Sequence, residues 1–120
     1  MGKRAIIHLE IPAEDRDATA RFYREVFGWS FTHVDESMSY PYTLFMTDNI
    51  GGGYAQVGEL QPGDVIVYVE SADIEADLRK IEELGGKTVV PRTEITDVGW
   101  FAIFSDPTGN KLALFREEGK

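Results

Sequence analysis

Residues 5–11, AIIHLEI, place Ile7, Leu9 and Ile11 at alternate positions, so that these side chains form one apolar face. Alternation of this kind predicts a β-strand with one face packed against a core. Residues 64–70, DVIVYVE, repeat the pattern 58 positions further along the chain. The two stretches therefore predict the opening strands of two related segments.

The rest of each segment repeats as well. Without a gap, residues 8–57 pair with residues 66–115 and give nine identities, which include the glycines that end each predicted helix. Each opening strand is followed by a helical apolar pattern and then by three short extended stretches. We expect an α+β fold in one domain spanning residues 1–120, made of two tandem βαβββ modules.

The boundaries of the repeat place module one at about residues 5–57, a turn-forming linker at 58–63 and module two at about 64–116. A sheet that carries its helix on one face must cover or use the other face. We expect the two modules to form an open, mixed, β-barrel-like cup with the helices outside. The cleft between the modules is then the predicted ligand site.

Composition limits the possible functions. The chain has 12 basic and 21 acidic residues and a formal net charge of −9, which makes nucleic acid and anionic lipid poor partners. It has no cysteine, which excludes a disulfide scaffold, thiolate metal ligands and a cysteine nucleophile. The first residues contain no long apolar run, so we expect no signal peptide or membrane span and a cytoplasmic location.

Strand parity selects the side chains that face the cleft. His8 and Glu10 are the candidate acid–base residues, because an imidazole titrates near neutrality and desolvation raises the pKa of a carboxyl group. The alternatives are that His8 is a former metal ligand without a present role in catalysis, and that Glu10 is a solvated carboxylate at the rim of the cleft. The candidate ligand-binding residues are Tyr68, Glu70, Trp100, Ala113 and Phe115, although the strand 98–105 is apolar on both faces and leaves the side of Trp100 open.

Two other stretches receive structural interpretations. Gly51-Gly52-Gly53 lacks the lysine and hydroxyl residue of a phosphate-binding loop, so we expect a tight turn at the entrance of a strand. Residues 37–42, SMSYPY, form a polar and aromatic connector that either closes over the cleft or only joins two strands.

The sequences ARFY at residues 20–23, VFGW at 26–29 and GWFAIFSDPTGN at 99–110 resemble a known group. This group is the glyoxalase, bleomycin-resistance and extradiol-dioxygenase (vicinal oxygen chelate) superfamily, in particular its uncharacterised glyoxalase-like proteins related to lactoylglutathione lyase. The resemblance implies the paired-module fold and a homodimer. It does not indicate a substrate, because this fold hosts many chemistries.

The resemblance also implies where a catalytic metal would bind. Metal-dependent members carry ligands in the opening and closing strands of each module, and the matching positions here are His8, Ala55, Ile66 and Ala113. Only His8 has a ligating side chain, whereas a catalytic metal needs about three protein ligands. We therefore predict no metal cofactor, with a divalent metal as the less favoured alternative.

These observations support three functional hypotheses. The first is a protein that binds a small, partly apolar molecule, either as a simple binder or as a metal-free acid–base enzyme of the lyase or isomerase type. The second is a metal-dependent lyase, isomerase or dioxygenase. The third is a non-catalytic interaction protein that uses its acidic surface or its sheet edges.

Overall fold

The computed structural model describes residues 2–34, 42–58 and 60–119. They form two compact units, a first unit of residues 8–66 and a second unit of residues 1–7 and 67–120. The elements in chain order are β1 (Ile6–Ala13), α1 (Arg16–Phe27), β2 (Ser30–Val34), β3 (Tyr42–Met46), β4 (Gly51–Gln56), β5 (Ile66–Glu70), α2 (Ile74–Glu83), β6 (Lys87–Ile95), β7 (Gly99–Ser105) and β8 (Lys111–Glu117).

In the first unit the strands lie in the order β2-β3-β4-β1. Strands β2, β3 and β4 are antiparallel neighbours, and β1 joins the edge parallel to β4. One face of this sheet packs against α1 around a buried cluster of Ala13, Ala20, Phe45 and Tyr54. We call the opposite face the helix-free face of the first unit.

Helix α1 has capping residues at both ends. The Asp15 carboxylate accepts a hydrogen bond from the backbone N–H of Ala18 at 3.0 Å and so begins the helix. Gly28 ends it with φ of +77°, a left-handed conformation that suits glycine, and its N–H donates to the Arg24 carbonyl. These caps fix where α1 begins and ends.

In the second unit the strands lie in the order β5-β8-β7-β6, with β8 parallel to β5 and antiparallel to β7. Helix α2 covers one face through a cluster that includes Ile74, Leu78 and Leu114. The Asp73 carboxylate caps α2 by accepting from the N–H of Ala76 at 3.0 Å. Neither helix in the described part of the chain is long and apolar enough to cross a membrane.

The predicted α+β class and the two βαβββ modules with mixed strand directions are confirmed. The interpretation of Gly51–Gly53 as a turn is wrong, because all three glycines lie in β4. A methyl group at Gly52 would overlap the Phe45 ring and the Leu9 carbonyl, and one at Gly53 would overlap the Tyr42 ring. Gly52 and Gly53 therefore leave room for neighbouring side chains and backbone.

Candidate functional site

The helix-free face of the first unit carries both predicted acid–base residues. Leu9 and Ile11 of β1 pack against the α1 cluster. Because successive strand residues point to opposite faces, His8 and Glu10 lie on the helix-free face, as the parity of residues 5–11 predicts. Their catalytic role stays a prediction.

Tyr42, the first residue of β3, joins these two side chains. Its hydroxyl donates to Glu10 Oε2 at 3.1 Å and lies 2.9 Å from His8 Nε2. With its proton committed to Glu10, the phenol oxygen accepts from His8, which places the imidazole proton on Nε2. Glu10 and Tyr42 are 8% and 6% exposed, so these contacts are shielded from water.

Burial sets the charge state of the imidazole. Desolvation lowers the pKa of His8 below its ordinary value, so the ring is neutral at pH 7. The three side chains thus combine a neutral imidazole, a phenol and a carboxyl group, a set that can accept or donate a proton at a bound ligand.

The position of the Tyr42 ring depends on Gly53 in the neighbouring strand. In the antiparallel β3–β4 pair, Tyr42 lies opposite Ala55, and Gly53 lies opposite Leu44. The Tyr42 ring crosses diagonally over Gly53 and occupies the space that any β-carbon there would fill. Glycine at position 53 therefore lets the phenol reach His8 and Glu10.

Apolar side chains lie beside this polar group. Leu44 and Met46 alternate with the α1-facing Phe45 and therefore share the helix-free face with Tyr42. They are 43% and 57% exposed. The face thus pairs an accessible apolar surface with a small number of polar groups, as small-molecule sites commonly do.

Sequence analysis did not single out Tyr42. The predicted connector 37–42 lies outside the described residues except for Tyr42 itself, which begins β3. The available sign was a glycine inside an extended stretch, which indicates the close approach of another group. The identity of that group depends on the β3–β4 register, which the sequence does not reveal.

In the second unit, Tyr68 and Ala113 are paired on β5 and β8 and are both buried. Phe115 lies two residues further along β8 on the same face and is partly exposed. The side chain of Glu70 accepts from the Ala5 N–H at 2.8 Å, and Glu70 is exposed at the end of β5. A ligand-binding role for these four residues stays a prediction.

Trp100 lies on the α2 side of the second-unit sheet, a placement that strand parity left open. It packs against the α2 cluster, and the Arg92 guanidinium lies 5.0 Å from its ring centroid. Phe101 takes the helix-free side of β7, since it pairs with Phe115. A ligand contact by Trp100 stays a prediction, and it would have to be made on the α2 side of the sheet.

The second unit also contains a cavity of about 660 Å³ beside the start of α2. Glu70, Phe115 and Arg4 are among its lining residues. The Asp77 carboxylate accepts from Arg4 Nη2 at 2.8 Å and from Ser71 Oγ at 2.6 Å. These bonds lower the pKa of Asp77 and tie residue 4 to α2, so they brace the wall of the cavity.

The other histidine lies on the α1 side of the first unit. His33 Nδ1 is 2.7 Å from Thr43 Oγ1, and Nε2 is 3.1 Å from Asp17 Oδ1. Arg16 donates to the same Thr43 oxygen at 2.8 Å. These hydrogen bonds connect α1 to the sheet. Because Thr43 is fully buried, its hydroxyl is not accessible to act as a nucleophile.

The residues at the four metal-matched positions do not fit a protein-bound metal. In the first unit, His8 supplies an imidazole, whereas Ala55 and Ile66 are buried and carry no donor atom. Ala113 in the second unit is buried and apolar as well. Within residues 2–34, 42–58 and 60–119, no group of three or more His, Asp or Glu side chains is arranged to hold a metal ion.

The fold and this arrangement agree with a known family. The model of the Glyoxalase/Bleomycin resistance protein/Dioxygenase superfamily matches residues 5–114. The chain belongs to this superfamily. Membership agrees with the resemblance seen in the sequence and explains the doubled βαβββ module.

Three similar proteins have names that differ from one another. The anthracycline biosynthesis protein DnrV of Streptomyces peucetius is 27% identical over 126 residues, covering 90% of this chain and 45% of DnrV. A hypothetical protein from Bacillus halodurans C-125 has a TM-score of 0.75 at 10% identity, with 99% and 98% of the two chains covered. Methylmalonyl-CoA epimerase of Streptomyces coelicolor, in complex with 2-nitronate-propionyl-CoA, has a TM-score of 0.65 at 21% identity, with 96% and 95% covered.

The chain spans less than half the length of DnrV and of the putative glyoxylase CFP32 of Mycobacterium tuberculosis, of which it covers 44%. The two similar solved structures share the fold of this chain at low identity. Fold alone does not indicate substrate. Any activity must therefore be argued from the residues of the site.

Proposed function

We propose that this protein binds a small, partly apolar molecule against the helix-free face of its first unit, without a catalytic metal. His8, Tyr42 and Glu10 contact the polar group of the ligand, and the exposed Leu44 and Met46 contact its apolar part. The observation that carries this proposal is the buried hydrogen-bonded chain from His8 through Tyr42 to Glu10 beside an accessible apolar surface.

The same three side chains support acid–base chemistry on a carbon acid. On ligand binding, the Tyr42 hydroxyl moves its hydrogen bond from Glu10 to the carbonyl oxygen of the ligand, and the freed Glu10 carboxylate accepts a proton from the carbon next to that carbonyl. The similar structure of a methylmalonyl-CoA epimerase supports a reaction of this class, since epimerisation also requires proton removal and return. A lyase or isomerase reaction is accordingly the enzymatic form of the proposal, and simple sequestration of a ligand is the non-enzymatic form.

The two histidines provide a direct test of the binding site. His8 lies on the helix-free face, whereas His33 lies on the α1 side of the same sheet and serves as an internal control. In proton NMR, an aromatic or 2-oxo-aldehyde ligand is expected to shift the His8 ring resonances in a saturable manner and to leave those of His33 in place. Equal shifts of both histidines, or no saturable shift with any ligand of such a panel, would refute the proposal.

Metal independence is tested separately. Protein purified without chelator is expected to contain far less than one equivalent of zinc, nickel, manganese or iron, and ligand binding is expected to survive dialysis against EDTA. A stoichiometric metal whose removal abolishes binding would instead favour the metal-dependent lyase, isomerase or dioxygenase.

A homodimer is a further part of the proposal. Phe22, Val26 and Phe27 of α1 are each more than half exposed, which is a large apolar area for one short helix. Light scattering coupled to gel filtration is expected to give twice the 13.5 kDa mass of the chain. A monomer at micromolar concentration would contradict the dimer and leave the ligand site unaffected. A cytoplasmic location also stays a prediction.

A further inference from the structure

Among the described residues, neither packing nor backbone conformation requires glycine at position 51, the first residue of β4. A β-carbon on either of the next two glycines would overlap a neighbouring aromatic ring, whereas one on Gly51 would only touch the flexible end of Met46, at 3.4 Å. Gly51 also lacks the positive φ that would favour glycine. Glycine weakens a strand, because it loses more backbone freedom on folding than other residues do. In strands it often marks a place where a ligand or another backbone approaches closely.

Gly51 forms the floor of a gap on the helix-free face. It lies opposite His8 in the parallel β1–β4 pair and opposite Met46 in the antiparallel β3–β4 pair. Its backbone is partly exposed, whereas the next two glycines are buried. Neighbouring strands lie about 4.8 Å apart, so β1 and β3 stand about 9.5 Å apart on the two sides of Gly51. The gap thus has a backbone floor, with His8 on one side and the end of Met46 reaching over it from the other.

Position 53 shows what a glycine on this face accommodates. The Tyr42 ring lies directly over Gly53. Positions 51 and 53 are about 6.6 Å apart along the strand. A ring that lay over Gly51 in the same way would therefore have the Tyr42 ring beside it, within the range of about 4.5–7 Å over which aromatic pairs attract.

Met46 is suited to cover such a ring. It is 57% exposed, and its methyl and sulfur atoms lie 3.4 and 3.6 Å from the place that a β-carbon on Gly51 would take. An unbranched thioether side chain has three rotatable bonds and makes favourable contacts with aromatic rings. Met46 can therefore leave the space above Gly51 and pack against a ring that enters it.

We propose that the ligand carries a flat aromatic ring that lies over Gly51, between Tyr42 and Met46, and that the lack of a side chain at position 51 determines this preference. A saturated ring of the same carbon skeleton is puckered and thicker. It makes fewer contacts with the backbone floor and lacks the attraction of an aromatic ring to Tyr42 and Met46. This inference rests on the proposed function and adds the class of ligand to it.

Two uncharged amides with one carbon skeleton test the inference. They are naphthalene-1-carboxamide and its saturated analogue decahydronaphthalene-1-carboxamide, titrated calorimetrically. We expect the aromatic amide to bind at least about tenfold more tightly, since only an aromatic ring makes the favourable contacts with Tyr42 and Met46. The saturated amide has at least as much apolar surface, so the hydrophobic effect alone would not favour the aromatic one.

The methyl group of Met46 reports where the ring binds. In protein labelled with ¹³C at the methionine methyl groups, the ring current of the aromatic amide is expected to shift the Met46 resonance. The chain has three methionines, and the Met46 resonance is the one that is lost in Met46→Leu.

Two glycine variants test the role of position 51. Gly51→Ala places a methyl group in the gap and is expected to weaken binding of the aromatic amide at least about tenfold. Gly58→Ala adds the same group beyond the end of β4, 3.8 Å from the Gln56 carbonyl oxygen, and is expected to bind as the wild type does. Urea denaturation is expected to show that Gly51→Ala is at least as stable as the wild type. A destabilised Gly51→Ala would overturn the inference, because the glycine would then have a structural role.

The outcomes separate the two proposals. If any ligand shifts the His8 resonances in a saturable manner but the aromatic amide is not preferred to the saturated one, the inference is overturned and a ligand site on this face remains. The same follows if Gly51→Ala binds the aromatic amide as tightly as the wild type does, or if binding leaves the Met46 resonance in place. If neither amide nor any other ligand of the panel shifts His8, the proposed function is refuted and the inference fails with it.

Discussion

A glycine-to-alanine pair in β4 tests whether the site geometry is built as described. Gly53 and Gly51 lie on the same face of one strand, and neither has the positive φ that would require glycine. A β-carbon at position 53 would overlap the Tyr42 ring, whereas one at position 51 would lie 3.4 Å from the flexible end of Met46. Gly53→Ala should therefore displace Tyr42, and Gly51→Ala is the matched control.

The expected cost follows from the contacts that Tyr42 loses. A hydrogen bond to a neutral partner such as His8 contributes about 1 kcal/mol, and one to a carboxylate such as Glu10 about 1.5–3 kcal/mol. Replacing glycine stabilises by about 0.4–1 kcal/mol through the unfolded chain, which offsets part of the loss. Gly53→Ala should thus lower the free energy of unfolding by about 2 kcal/mol, whereas Gly51→Ala should leave it unchanged or raise it by up to about 1 kcal/mol.

Urea denaturation gives both free energies, and NMR of the His8 ring reports the site. Displacement of Tyr42 should change the His8 titration in Gly53→Ala and leave it unaltered in Gly51→Ala. The reasoning would be refuted if the two variants were equally stable, or if Gly53→Ala lost stability while His8 titrated as in the wild type. The first result would deny the overlap at position 53, and the second would deny the link between Tyr42 and His8.

Three further variants test other parts of the molecule by urea denaturation. The Tyr54 hydroxyl is buried with no hydrogen-bond partner among the described residues, and burial raises its pKa to about 12; Tyr54→Phe should stabilise by about 1 kcal/mol, and a loss would reveal a partner. Burial lowers the pKa of His8 in the folded protein below its ordinary value of 6.5. As the pH drops through 6.5, the unfolded chain therefore takes up a proton before the folded protein does, and stability falls. His8→Gln should flatten this decline, and parallel curves of stability against pH for the two proteins would contradict the assignment. The hydrogen bond from Arg4 is the main cause of the lowered pKa of Asp77. The contribution of Asp77 to stability is therefore fully present above its ordinary pKa of 3.8 and is lost as the pH falls through its pKa in the folded protein. Asp77→Asn should cost about 1–3 kcal/mol at pH 7 and progressively less in acid, and a cost that does not vary with pH would refute this.

Several features of the site could be predicted from the sequence because they depend only on the order of residues along one strand. The face that carries His8 and Glu10 follows from the alternation of residues 5–11, since a strand can present only one apolar face to its helix. Strand 98–105 shows the limit of this reasoning, because the consecutive apolar residues at 100–104 give no preferred face. Only the packing of α2 against the second-unit sheet places Trp100 on one side and Phe101 on the other.

The sequence by itself determined the doubled βαβββ pattern, the acidic charge, the face of β1 and the lack of donors at the metal-matched positions other than His8. Each of these depends on residue identity or on a period of two or of 3.6 residues. The tertiary structure alone decided that Tyr42 joins His8 to Glu10 and that Gly53 accommodates the ring. The register between β3 and β4 sets both contacts, and pairing between strands is a property of hydrogen-bond geometry that periodicity along one strand does not contain.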